Sequence, residues 1–234
     1  MHLKREFSLE ALNLVKFERM KKFDRKNEQS REFLVRLRSR GFARLEAFGE
    51  SHEKISRALD TIMPFIKYAK NKVGVYVDCG CGEAPETFYM ARMGYESYGL
   101  DVFPLSIEYT KNRSNPSLYK SAVDIYELTE GATFIQQDVC EKWSVNVPLA
   151  DVITAHAMVT LMEPEDMILF FKNAYKNANE NCLFSVTGYP LESGYFGTWD
   201  IRGGKLQTAL EDAAKQSGWK TIFVSTTNII MTKQ

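Results

Sequence analysis

Seven residues of this 234-residue chain, Asp78-Cys79-Gly80-Cys81-Gly82-Glu83-Ala84, have the types and spacing to hold a ligand. The β-branched, apolar run Val73–Val77 before them reads as a strand that delivers Asp78. Gly80 and Gly82 then let the backbone turn sharply and approach a ligand without interference from a Cβ. Pro85 suits the first turn of a following helix, where its missing N–H costs nothing. The amides at that helix start are expected to face an anionic group such as a ligand carboxylate. Two more acids, Asp101 and Asp138, close the next strand-like runs, and His156 follows a fourth. Singly, such acids are ordinary turn and cap residues. Three at successive strand C-termini beside a glycine turn fit the rule that open α/β sheets bind ligands there.

The elements that must position these groups follow from periodicity. Glu96–Leu100, Thr133–Gln137, Asp151–Ala155 and Cys182–Thr187 read as further strands, and Trp219–Ser225 with Asn228–Thr232 as a closing hairpin. Pro85–Met93, Pro164–Ala178 and Lys205–Gln216 have helical spacing, as does Pro104–Gly131, broken at Asn115-Pro116. Strands alternating with helices predict an α/β fold, a doubly wound, mostly parallel sheet covered on both faces. The last two strands lie too close for a crossover helix, so one must run antiparallel.

A dinucleotide fingerprint would place a third glycine at position 85, which is Pro85; the third small residue is instead Ala84. Together with the acid two places before Gly80, the turn resembles the first motif of the class I S-adenosylmethionine-dependent methyltransferases, acidic-x-Gly-x-Gly-x-Gly. The resemblance continues over Val73 to the end of the sequence. It implies seven strands with an antiparallel last one, and S-adenosylmethionine as cofactor, held at the turn by Asp78, Gly80, Cys81 and Gly82. Asp101, 19 residues after Gly82, stands where the family has an acid that accepts both ribose hydroxyls, with Val102 beside the adenine. Asp138, with Val139, stands where an acid often accepts from the adenine amino group, and Ala155 belongs to the strand bordering the methyl donor. Ala84 departs from the motif's last glycine, where a methyl group is a small intrusion. His156 either takes a proton from the nucleophile as methyl transfer proceeds or supports the loop through its backbone. The Gly- and aromatic-rich stretch Gly188–Asp200 reads as an acceptor wall.

Residues 1–72 differ in texture. They hold 18 Lys/Arg against 10 Asp/Glu, whereas the remainder holds 12 against 20, so a zero net charge conceals a basic front and an acidic body. Ser8, Phe33–Leu37 and Ser51–Ala69 mark three helices, the last divided at Pro64. They form either a lid or a substrate-binding segment over the cleft. Arg36, Arg38, Arg40 and Arg44 make nucleic acid a possible partner. The sequence after the fourth strand lacks the Asn/Asp-Pro-Pro-aromatic pattern of adenine methylation, and no Pro-Cys nucleophile is present, which favours a small-molecule acceptor methylated at O or N. Cys79, Cys81, Cys140 and Cys182 show no zinc-type pairing, and no metal site is expected. Reduced cysteines, no apolar leader and no 20-residue apolar run predict a cytoplasmic protein without a membrane partner.

Overall fold

The computed structural model describes residues 66, 74–82, 84–102, 132–156, 158–188, 205–225 and 228–234. The chain runs β1 (Val75–Cys79), α1 (Pro85–Arg92), β2 (Glu96–Asp101), β3 (Ala132–Gln136), β4 (Ala150–His156), a 3-10 turn (Met158–Leu161), α2 (Pro164–Lys176), β5 (Ala178–Thr187), α3 (Lys205–Ser217), β6 (Lys220–Val224) and β7 (Asn228–Thr232). One seven-stranded sheet results, in the order β3-β2-β1-β4-β5-β7-β6. β1 is parallel to β2 and β4, and β4 to β5; β7 is antiparallel to both β5 and β6. The Ser225–Asn228 connection enforces that reversal, closed by Ser225 N donating to Asn228 O at 2.7 Å. The chain leaves β1 in one direction along the sheet and returns to β4 on the other side, which puts the topological switch between the C-terminal ends of β1 and β4.

Most boundaries shift by one or two residues from the sequence expectation, β2 and β4 extending to include Asp101 and His156, and three shifts matter most. β1 extends to Cys79, so Asp78 lies within the strand. β3 ends at Gln136, which places Asp138 in the following turn, two residues beyond the strand. β5 begins at Ala178, four residues before Cys182. Its first residues, Asn179, Glu180 and Asn181, are polar, and Asn181 has a left-handed φ of 64°, so neither hydrophobicity nor alternation marks that part as strand. The helices expected within residues 1–72 and 104–131, and the wall from 189 to 200, lie outside the described residues.

Register divides the sheet into two unlike faces. Val77, Cys79, Ile153, Ala155, Phe184, Val186, Ile229 and Met231 point to the side covered by α2 and α3, where they join Phe170, Phe171, Leu206, Leu210 and Trp219 in the main core. Tyr76, Val152 and Leu183 point to the side of α1, where they pack with Met90, Tyr95 and Ile66. Helices thus cover both faces, as a parallel sheet requires. Phe184 is the hub of the main core. Its ring lies 5.5 Å from Phe170, 5.0 Å from Phe171 and 5.0 Å from Trp219, the two phenylalanines edge-on. Trp219 satisfies its indole N–H on Phe171 O at 3.0 Å. Among the described residues no helix is long and apolar enough to cross a membrane.

Phe184→Ala should therefore cost about 3–5 kcal/mol, whereas Phe184→Leu should cost less than about 2 kcal/mol. Urea denaturation of both variants checks this; equal losses would show that loss of the ring, rather than the size of the cavity, is the controlling quantity.

Candidate functional site

The glycine turn is held from beneath by the end of β2. Gly80 N and Cys81 N both donate to Leu100 O, at 2.7 and 3.0 Å, and Ala84 N donates to Cys81 O at 2.7 Å. Gly82 N donates to Asp101 Oδ2 at 3.0 Å. With Pro85 contributing no N–H, the four amides of Gly80, Cys81, Gly82 and Ala84 are all committed inside the protein. The turn spends these donors on its own shape. Gly80 has a φ of 72° and is further required by Met158, whose Sδ would lie 2.7 Å from a Cβ placed there. Ala84 also sits in the left-handed region, at φ 59°. The missing third glycine therefore matters for the backbone more than for space, since a left-handed alanine costs about 1–2 kcal/mol. Burial of its methyl against Cys81 and Phe134 offsets part of that.

Asp78 is buried, 2% exposed, where β1, α1 and β4 meet. Thr87 Oγ1 donates to its Oδ2 at 2.8 Å, and Thr154 Oγ1 to its Oδ1 at 3.4 Å. Thr154 has then spent its proton, so Tyr76 O–H donates to Thr154 Oγ1, at 2.5 Å. Burial, followed by the like charge of Glu86, pushes the Asp78 carboxyl well above the usual carboxylate range against the pull of both threonines, and Asp101 adds to the rise. Burial, then Asp78, likewise raises the Tyr76 phenol, which stays a neutral donor. Asp78 thus ties α1 and β4 to β1.

The other residues expected from the sequence fall in two groups. Asp101, 2% exposed, ends β2 against the turn and accepts from it, while Val102 follows in a bend, half-buried. Asp138 is half-buried and closes its own turn by accepting from Cys140 N at 2.9 Å. Cys81, Val139 and Ala155 have buried side chains, Cys81 against Ala84 and Phe134, the other two in the main core. Their side chains serve packing, which leaves only backbone for a ligand.

His156 ends β4 on the α1 side of the sheet, half-buried, and burial lowers its imidazole to about 4. It is neutral at pH 7. Register pairs His156 with Thr187 on β5 and Thr187 with Asn228 on β7; one step below, Asp78 pairs with Thr154 and Thr154 with Ser185. Sequence reading missed Tyr76, Thr87, Thr154, Ser185, Thr187 and Asn228. The available sign was polar residues two apart, Thr154 with His156 and Ser185 with Thr187, in strands whose burial calls for apolar ones.

No family model and no curated protein matches the sequence. Solved structures do. A TehB-like S-adenosylmethionine-dependent methyltransferase of Corynebacterium glutamicum has a TM-score of 0.54 at 13% identity, over 84% of this chain and 96% of its own. The magnesium protoporphyrin IX methyltransferase of Synechocystis, solved with bound S-adenosylmethionine, has 0.52 at 11%, over 97% and 93%. A protein of Pyrococcus horikoshii has 0.58 at 17%, over 80% and 94%. The chain has the fold of the class I S-adenosylmethionine-dependent methyltransferases.

The neutral imidazole has a pH signature. Because folding lowers the His156 value, its contribution to stability is complete above about pH 6.5 and is lost as pH falls towards 4. Relative to wild type, His156→Gln should gain stability from pH 7 to pH 4.5 by on the order of 2 kcal/mol. Paired urea titrations at the two pH values measure it, and parallel curves would show that His156 is not held neutral.

Proposed function

We propose that this chain is an S-adenosylmethionine-dependent methyltransferase that methylates an oxygen or nitrogen of a small molecule. The charge and donor pattern of the glycine turn carries the reading. A pyrophosphate needs free amides and positive charge, whereas the amides of Gly80, Cys81, Gly82 and Ala84 are spent internally. The turn's immediate neighbours are acids rather than bases: Glu86 and Asp101 are buried beside it, with Asp78 raised towards its neutral form by burial and by them. Such a site suits a ligand that brings hydroxyl donors and positive charge, and S-adenosylmethionine brings both.

Asp101 fits the ribose: its Oδ2 takes one proton from Gly82, and a carboxylate has about four lone-pair sites. Asp78 is a positioning residue, holding the turn through Thr87 and Thr154. Asp138 and the backbone of Val139 and Val102 border the adenine, and Ala155 lies in the strand beneath the donor. When bound, the cofactor supplies a methyl group on a sulfonium, which leaves the protein mainly the work of alignment. His156 takes the proton of the acceptor on a ring nitrogen as the new bond forms. A weak base suffices there, because an oxygen or nitrogen gaining a methyl group becomes strongly acidic. The Synechocystis neighbour acts on a small molecule, magnesium protoporphyrin IX, in keeping with a small acceptor here. Residues 1–72 are assigned to the lid of this cleft.

S-adenosylmethionine should stabilise the protein by about 2.7 kcal/mol at a hundred-fold excess over its dissociation constant, and NAD should give no shift. A thermal shift with NAD alone would refute the assignment. Asp101→Ala should weaken S-adenosylmethionine binding at least about ten-fold while the fold survives, because two hydroxyls and the Gly82 amide lose their acceptor. Calorimetry measures the loss, and unchanged affinity would place the ribose elsewhere.

A further inference from the structure

The α1 side of the sheet changes character along its strands. Its lower half is apolar, with Tyr76, Val152 and Leu183 packed against Met90 and Ile66. Its upper half, at the C-terminal strand ends, turns polar: Thr154 and Ser185 in one row, which Ile230 of β7 ends, and His156, Thr187 and Asn228 in the next. Nothing about a buried sheet calls for hydroxyls there. Ser185 and Thr187 are 2% and 6% exposed. Neither Ser185 Oγ nor Thr187 Oγ1 has a hydrogen-bond partner among the described residues. Two buried hydroxyls with unmade bonds are a standing cost to the fold, and valine or alanine would remove it.

Their place gives the cost a purpose. Ser185 continues the row Asp78–Thr154 outward from the glycine turn, and Thr187 stands beside His156. A molecule seated over β4, β5 and β7 would thus lie next to a methyl group held over β1 and β4. We propose that Ser185, Thr187 and Asn228, together with His156, form the seat of the methyl acceptor and select an uncharged, hydrogen-bonding acceptor over an anionic one. This deepens the methyltransferase reading and rests on it. Serine, threonine and asparagine carry no charge, and the imidazole is held neutral by burial. Lys233, just past β7, lies at the opposite end of the sheet, where it bonds Ala178 O at 2.8 Å. A carboxylate or phosphate in the seat would lose its hydration without meeting a counter-charge from these side chains.

The double variant Ser185→Ala/Thr187→Val tests the inference in two ways. If the hydroxyls are kept for a ligand, its Tm stays level or rises; a fall in Tm means that they serve the fold, and the proposal is overturned. Binding is then read by ligand-observed NMR on both proteins saturated with S-adenosylhomocysteine, with phenol, benzyl alcohol and benzamide as uncharged probes and benzoate and phenyl phosphate as anions. The uncharged probes should bind wild type at least ten-fold more tightly than the anions and lose roughly five-fold or more in the variant. Anions that bind equally well, uncharged probes that do not bind, or probes indifferent to the substitutions would each overturn it. The thermal shift with S-adenosylhomocysteine is recorded in the same samples. An intact shift beside failed discrimination rejects the seat alone, whereas no shift in wild type rejects the methyltransferase reading and the seat with it.

Discussion

A carboxylate buried at the junction of three elements is the constraint on which the site's shape depends. Asp78 is 2% exposed, and burying an ionisable group without hydrogen bonds would be prohibitive. Thr87 brings a donor from α1, and Thr154 brings one from β4. Meeting that requirement fixes the position of α1 relative to the sheet, and hence the path of the turn between β1 and α1. Tyr76, two residues earlier on the same face, completes the chain by donating to Thr154, so that each bond polarises the next. The left-handed conformations at Gly80, Gly82 and Ala84 are the local consequence: five residues must carry the chain from a fixed strand to a fixed helix.

How much of this the sequence disclosed depended on whether a feature is local. The strand-turn-helix around Gly80 and Gly82 is local, and its spacing, with Asp101 and Asp138 following, was enough to point to the fold. The antiparallel β7 was legible for the same reason, since a three-residue connection admits no other direction. The residues that orient Asp78 were not legible. Thr87 lies nine residues on and Thr154 seventy-six, and only the register of β1 against β4 brings the latter beside it. That Leu100 O lies beneath the turn and takes the Gly80 and Cys81 amides was likewise not legible, because it depends on the pairing of β1 with β2. Ala84 shows the same limit: its identity suggested a question of volume, whereas the structure poses one of backbone conformation.

The two faces of the sheet divide stability from function. Phe184, Val186, Ile229 and Met231 build the α2/α3 side around tilted and edge-on rings, with no polar side chain among the core strand residues named for it. Their neighbours one residue along, Ser185, Thr187 and Asn228, face the other way. Because side chains alternate strictly along a strand, β5 can devote one parity to the core and the other to polar groups without compromise. Proteins generally tolerate unmade buried hydrogen bonds only where something else is gained. Here they gather where the topology already places a ligand crevice.

The sparse chemical equipment of the site follows from the donor proposed for it. A sulfonium is an activated leaving group, so the reaction requires no metal to polarise it and no covalent intermediate on the protein. What it does require is an acceptor held in line and a place for one proton. An imidazole lowered to about 4 cannot deprotonate an alcohol before reaction, but it can receive the proton once the methyl group is partly bonded. The same burial that weakens it as a base keeps it uncharged before transfer, so it does not repel the sulfonium nearby. A charged histidine would do both tasks badly. The low value accords with proton acceptance late in the reaction, and it complements a turn whose buried neighbours are acids and that places no positive charge of its own beside the ligand.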